Sequence, residues 1–426
     1  MRSWFSKYLP LNSFNRNTRL FLTATIIDGV IYSTLQLFYN FFILSRGFDR
    51  EFLGVMNSIP SFAALFLGIP MGMLSDKLGR RKAMLTGLFF QVCGMSITLL
   101  AQPKWLLIVG SIIYGAGNNL YVLSHAPFMM SVTNRDNRGL LFSLNSGLST
   151  LSGAAGSLFA GQLPVVVAPL IHAEVGSTTV YQTILLSAVL LGAFSLLPIF
   201  LIKEPDRIEA TKTRSENWSQ LVGLFKQSIT WKLVAPQLII GFGAAILIPY
   251  MNLFFAYTFS MPENEIGILF SLSSLLMGAG IIIGPIIERK IHGKIKTVVL
   301  TQASSLIFLI FLGFIPVKWV AEVSFLARGV LMNIATPFYS AFAMEQTASE
   351  SQGTFNSMLN ISWTLGWAVG PLLSGMVQDI AGFQPLFITT TILYSIGCLI
   401  TWKFFNRSEV NSIGKEKVYE IEQTIS

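Results

Sequence analysis

Gly72-Met73-Leu74-Ser75-Asp76-Lys77-Leu78-Gly79-Arg80-Arg81-Lys82 is the stretch that decides the fold. An apolar run from about Leu53 to Leu74 leads into it, and another from about Ala83 to Ala101 leaves it. Between the runs stand one carboxylate, a turn glycine and four basic residues. In hydrocarbon a backbone must satisfy its own hydrogen bonds, so each run reads as a spanning helix. The basic turn is then a tight loop kept on the cytoplasmic side. Gly72 is expected to let a neighbouring helix approach closely. Gly79 supplies the positive-φ turn. Asp76 ends its helix, where it can pair with Arg80 or accept from the N-terminus of another helix.

The pattern G-x-x-x-D-x-x-G-R-[RK]-[RK] is matched by Gly72, Asp76, Gly79, Arg80, Arg81 and Lys82. In this it resembles the loop between helices 2 and 3 of the major facilitator superfamily. The resemblance implies an all-α membrane protein with twelve transmembrane helices in two pseudo-symmetric six-helix bundles. It also implies alternating access; it does not name a substrate.

Composition agrees with a membrane chain. Of 426 residues 52% are apolar and only 12% charged, about half the charged share of a soluble domain. The apolar stretches run about 20 residues, enough to cross a bilayer. Twelve spans are expected near 18–43, 52–75, 83–101, 105–130, 140–168, 180–202, 232–257, 264–287, 297–315, 319–345, 354–378 and 385–405. The first is too long for a signal-peptide core and lacks a small-residue cleavage site, so it reads as a retained span.

Charge sets the orientation. With both termini cytoplasmic, 24 of the 29 Lys and Arg fall in the inner segments. The outer loops keep only Arg46, Arg50, Lys104 and Lys318, and Arg328 lies within a span. The net charge of +8 therefore reflects topology and implies no nucleic-acid partner. The chain is expected in the bacterial plasma membrane, as a multi-pass monomer.

The longest polar stretch begins Lys203-Glu204-Pro205-Asp206-Arg207 and ends at Lys232. Proline and mixed charge mark a cytoplasmic linker, which divides the chain into bundles 1–202 and 232–426 around a linker at 203–231. Trp218, Leu221, Leu224 and Phe225 allow a short helix there on the membrane surface. The halves also repeat. Arg138–Gly161 aligns without gaps on Gln352–Gly375, with Gly139/Gly353, Ser143/Ser357, Thr150/Thr364, Gly156/Gly370 and Gly161/Gly375 identical. A weaker copy of the opening motif runs through Gly284, Glu288, Arg289 and Gly293. Internal duplication is a common build of transporters.

In the superfamily resembled, spans 1, 4, 7 and 10 line a central cavity. The polar residues here follow that division. Span 1 carries Thr25, Asp28, Tyr32, Gln36 and Tyr39 on one helical face. Span 4 carries Ser111, Asn118 and His125 beside Tyr114 and Tyr121; span 11 carries Asn356, Asn360, Trp363 and Trp367; span 7 offers Gln237, Asn252 and Tyr257. Such stripes suit a water-filled path, and equally suit interhelical hydrogen bonding. Substrate contacts are assigned to Tyr32, Gln36, Tyr114, Asn118, Tyr121, Asn252, Arg328, Asn360 and Trp363. Asp28 is the expected proton carrier, since a carboxylate at that depth must be paired, hydrated or protonated. His125, the side chain titrating nearest neutrality, is a second candidate. Arg328 stays charged and requires a partner or an anionic ligand. Asp76 and Glu288 are assigned, with the basic turn, to the gate.

Two departures from proton-coupled drug antiporters stand out. Ser111 occupies the span-4 position where they carry arginine, and span 5 reads Gly156-Ser157-Leu158-Phe159-Ala160-Gly161 without their proline. No Walker loop is present, so direct use of ATP is not expected. Cys93 and Cys398 have no metal spacing. No cofactor and no enzymatic activity are expected. The reading is a proton-coupled exporter of an amphipathic or aromatic compound; an importer of an anionic metabolite, or a lipid flippase of the same fold, is the alternative.

Overall fold

The computed structural model describes residues 14–203, 223–224, 226–347 and 351–425, without the side chains of 135–136 and of 406 onward. Most of the linker, including Trp218, Leu221 and Phe225, lies outside the described residues. Within them twelve helices follow one another. They are α1 (Arg16–Ser45), α2 (Arg50–Leu78), α3 (Arg80–Leu100), α4 (Lys104–Ser131), α5 (Arg135–Leu170) and α6 (Thr178–Leu201), then α7 (Ser228–Phe259), α8 (Glu263–Ile291), α9 (Lys294–Phe314), α10 (Lys318–Glu345), α11 (Gln352–Ala381) and α12 (Gln384–Ile425). No strand occurs among the described residues.

Ten of the twelve are long and apolar enough to cross a membrane. The other two, α10 and α11, have 28 and 30 residues and fall short on composition, because Arg328, Asn333, Asn356, Asn360 and Thr364 interrupt their apolar runs. Large apolar side chains are exposed along the helices, Phe66 at 76% and Ile282 at 78% among them. That is the surface acyl chains would cover.

Two helices are broken. The α6 helix is interrupted at Ser195, whose Oγ donates to Gly192 O at 2.6 Å. In α7 a 3-10 turn spans Ile248–Tyr250. Pro249 cannot donate within the ladder, which explains the tightening there. Turn glycines sit where the chain reverses: Gly79 has φ 84°, and His292 at 56° precedes Gly293.

Packing divides the chain into two units. The first comprises Met1–Phe48, Ile59–Glu209 and Met261–Ser271; the second comprises Asp49–Ser58, Ala210–Ser260 and Leu272–Ser426. In the first unit the closest helix pairs are α3 with α4 and α1 with α5; in the second they are α9 with α10 and α7 with α11. Small residues make these approaches. A Cβ on Gly94 would lie 2.3 Å from Tyr114 N, and one on Gly117 would lie 2.6 Å from Gln91 N. On α1, a Cβ at Gly29 would meet Ser152 Oγ at 2.2 Å. Without a hydrophobic drive between helices in lipid, such backbone contact supplies dispersion energy instead.

Gly72 does not behave this way. Among the described residues nothing beyond its own helix lies within 4 Å of where its Cβ would be, so the expected close approach is corrected.

Candidate functional site

The polar face of α1 is divided by depth. Thr25 is buried and donates to Asn145 Oδ1 of α5 at 2.8 Å. Asp28 and Tyr39 are half-buried, whereas Tyr32 and Gln36 are exposed. The α1 backbone is fixed by the Gly29–Ser152 contact with α5 and by Gly192 of α6, whose Cβ would meet Ile31 Cδ1 at 3.3 Å.

Around Asp28 stand three tyrosines, Tyr32, Tyr114 and Tyr121, all within reach of its charge. Among the described residues no side chain donates a hydrogen bond to its carboxylate. It lines a pocket of about 20 Å³ with Leu35, Gln91, Met95, Tyr114 and Ser195. Tyr114 is brought there by the glycine seam between α3 and α4. Asn118, one turn further along α4, is half-buried. Tyr121 is 1% exposed and packs within the apolar core of the first unit. His125 stands edge-on to Tyr121 at 4.2 Å and to Phe21 at 5.2 Å, with Nε2 buried and unpaired. His125 is thus held by aromatic rings.

In the second unit Arg328 is 4% exposed. Its Nη2 donates to the Tyr394 hydroxyl of α12 at 2.8 Å, and the guanidinium lies over the same ring at 5.5 Å. Nε has no partner. Asn252 is buried, and its Oδ1 accepts from Leu253 N at 2.9 Å. Asn360 is exposed. Trp363 packs over Gly241, where a Cβ would lie 2.9 Å from its ring, and stands 6.4 Å from Trp367.

The basic turn is closed locally. Arg80 Nη1 lies 2.8 Å from Asp76 Oδ1 and 3.1 Å from Ser75 Oγ. Ser75 in turn bonds Ser124 of α4 at 2.9 Å. Arg81 donates to Phe200 O at 2.5 Å and covers that ring, tying the turn to the end of α6. Lys82 is exposed. Glu288 is half-buried, and in the second unit Lys294 pairs with Glu345.

This arrangement has relatives. A family model described as Major Facilitator Superfamily matches residues 21–371 and, overlapping, 241–423. The chain belongs to the Major Facilitator Superfamily. Among its relatives are the class H tetracycline resistance protein of Pasteurella multocida, 22% identical over 92% of this chain and 97% of that one, and the class B protein of Escherichia coli, 25% identical over 86% and 89%. The crystal structure of the nucleoside transporter NupG superposes with a TM-score of 0.72 at 14% identity, covering 92% of this chain and 99% of that one. As a superfamily member, the chain is a membrane transporter.

Sequence reasoning missed several residues that the superfamily fold brings into play. Gln91 lies on α3, a helix with no polar stripe to point it out. Asp379 Oδ2 accepts from Glu51 N at 2.9 Å and Oδ1 from Arg50 N at 3.3 Å, capping α2. Tyr181 of α6 donates to Glu263 at the start of α8. Acidic residues at the ends of apolar runs look like ordinary loop residues in a sequence.

Proposed function

We propose that this transporter exports an amphipathic or aromatic solute by alternating access, driven by protons that bind and leave Asp28. The observation that carries the reading is the α1 face: a carboxylate without a hydrogen-bond donor, ringed by tyrosines, one turn from the exposed Tyr32 and two from Gln36. A buried carboxylate is stable only when protonated, hydrated or paired, so its protonation must change when its surroundings do. Tyr32, Gln36, Tyr114 and Asn118 offer ring faces and hydrogen-bonding groups for a planar or cationic solute. The tetracycline resistance proteins among the relatives support an aromatic, partly polar substrate. Arg328, held by Tyr394 inside its own unit, is read as a structural cation. The gate is assigned to the Gly72–Lys82 turn and Glu288, both termini to the cytoplasm, and the working form to a monomer in the plasma membrane.

The test is transport in proteoliposomes under an imposed pH gradient, with tetracycline, ethidium and uridine as probes. Gradient-driven movement of an aromatic probe, abolished by a protonophore, is expected in the wild type. Asp28→Asn should abolish the pH-driven component. Wild-type, gradient-driven transport by Asp28→Asn would remove Asp28 as the carrier.

A further inference from the structure

Asp28 faces two environments. Tyr32, one turn on, is 61% exposed, while Asp28 itself lines the small, partly open pocket between α1, α3, α4 and α6. The pocket of about 20 Å³ has room for one water. Two acceptors border it without a donor. One is the Asp28 carboxylate. The other is Gln91 Oε1, which is buried and, among the described residues, has no hydrogen-bond partner, its carboxamide standing beside Tyr114 in the pocket wall. A buried acceptor left without a donor costs free energy comparable to a lost hydrogen bond. A water molecule has two O–H groups and satisfies both at once.

The corresponding helices of the second unit are built differently. There Gln302 of α9 has a protein donor: the Cys398 thiol of α12 lies 3.6 Å from its Oε1. Tyr394 and Arg328 fill the neighbouring space. In the first unit the pocket wall contributed by α6 is Val189, Gly192 and Ser195. Ser195 donates to Gly192 O within its own helix. Small side chains on α6 leave open in one unit what Tyr394 and Cys398 close in the other.

We propose that Gln91 is a positioning residue for proton transfer. Its Oε1 and the Asp28 carboxylate hold one water between them inside the first unit. A proton arriving there as hydronium passes to the carboxylate, giving the neutral acid and leaving the water in place; release runs the same step backwards. The proton then reaches Asp28 from within the bundle, and the solute meets Tyr32 and Gln36. This inference rests on reading Asp28 as the proton carrier. The titratable groups facing Asp28 are Tyr32 on its own helix and Tyr114 and Tyr121 on α4, with His125 behind Tyr121. From α3 comes Gln91, from α6 Ser195, and from α5 Ser152, beside Gly29. Among the described residues no lysine, arginine or second carboxylate lines the pocket.

Infrared difference spectroscopy of the full-length protein in nanodiscs, titrated with pH in ordinary and ¹⁸O-labelled water, tests this. The wild type is expected to show a protonated-carboxyl band that Asp28→Asn removes, and an ¹⁸O-sensitive bound-water band. Gln91→Leu should abolish the water band and move the carboxyl midpoint by about one pH unit or more. Gln91→Asn, which keeps the amide but shortens its reach, should give a smaller change and serves if the leucine variant does not fold. Unchanged carboxyl and water bands in a folded Gln91 variant overturn the proposal and leave Asp28 as the carrier. The absence of any band lost in Asp28→Asn overturns the carrier reading and the proposal together. A carboxyl band that responds to sodium chloride instead of pH, and loses that response in Gln91→Leu, also overturns it, because the pocket would then hold a metal cation.

Discussion

At the scale of single residues, the two ionisable groups set deep in α1 and α10 have opposite surroundings. Asp28 has neutral tyrosines near it and a pocket beside it; Arg328 has a hydroxyl and a ring and is closed in. The first arrangement permits a change of charge, and the second fixes one. Tyr394→Phe should accordingly lower stability by about 1.5–3 kcal/mol, the worth of a hydrogen bond to a charged group. Thermal unfolding of the detergent-solubilised protein reads this out, and an unchanged midpoint would mean that water replaces the hydroxyl. Asp28→Asn should leave that midpoint within about 1 kcal/mol of wild type, since it removes a charge that has no partner. Its effect belongs in the pH-driven transport assay, as a loss of about tenfold or more. The depth of Asp28 and Arg328 was legible because a charge within an apolar run is conspicuous. Which way each side chain points was not. The helical face of Arg328 gives no hint of Tyr394, sixty-six residues away, and Gln91 has no polar neighbour in sequence to mark it.

At the scale of elements, the repeat seen in α5 and α11 marks two equivalent crossings. A Cβ on Gly161 of α5 would lie 2.9 Å from the Gly267 Cα of α8; one on Gly375 of α11 would lie 3.1 Å from the Gly54 Cα of α2 and 2.3 Å from Arg50 O. Each crossing carries a polar fastening. Beside the first, Tyr181 donates to Glu263. Beside the second, Asp379 caps α2, and Arg50 Nη1 donates to Gln378 O at 3.2 Å. Gly161→Leu and Gly375→Leu should each destabilise by about 1–3 kcal/mol through overpacking, whereas Gly147→Leu, with no atom within 4 Å of its Cβ site, should cost no more than about 1 kcal/mol. Asp379→Ala should cost about 1 kcal/mol as a lost N-terminal cap. Comparing melting midpoints of the four variants is enough. If Gly147→Leu proved as damaging as Gly375→Leu, helix contact would not be the cause. Helix ends were legible to within a few residues because turns, glycines and charges punctuate the apolar runs, except that α12 was expected to end near 405 and continues to Ile425. The 3-10 turn at Ile248–Tyr250 was not, since Pro249 lies in an unbroken apolar stretch. Gly72 misled for a related reason: a glycine in a sequence does not say whether anything comes near it.

At the scale of the whole chain, what the sequence makes legible is the number of helices. Twelve helices lie among the described residues, as the apolar runs require, and the repeat places α2 and α8 at equivalent positions in their halves. Contacts made by the first turns of those two helices were not legible, because hydropathy counts residues along a helix and is silent on what the helix touches. The expected orientation rests on charge. Moving Lys and Arg across a membrane is costly, so the side holding 24 of 29 is expected to stay in the cytoplasm. This gives a direct prediction. In a Cys93→Ala, Cys398→Ser background, Gln102→Cys before α4 and Trp319→Cys at the start of α10 should react with a membrane-impermeant maleimide in intact cells. Lys77→Cys at the end of α2 and Lys290→Cys at the end of α8 should react only after permeabilisation. All but one of these wild-type side chains are exposed charged or polar groups, and Trp319 is 67% exposed, so accessibility to the reagent depends on the side of the membrane and not on burial. The reverse pattern would place the Arg80-Arg81-Lys82 turn outside. The carrier would then load its protons and release its solute on sides opposite to those proposed, and export would have to be read as import.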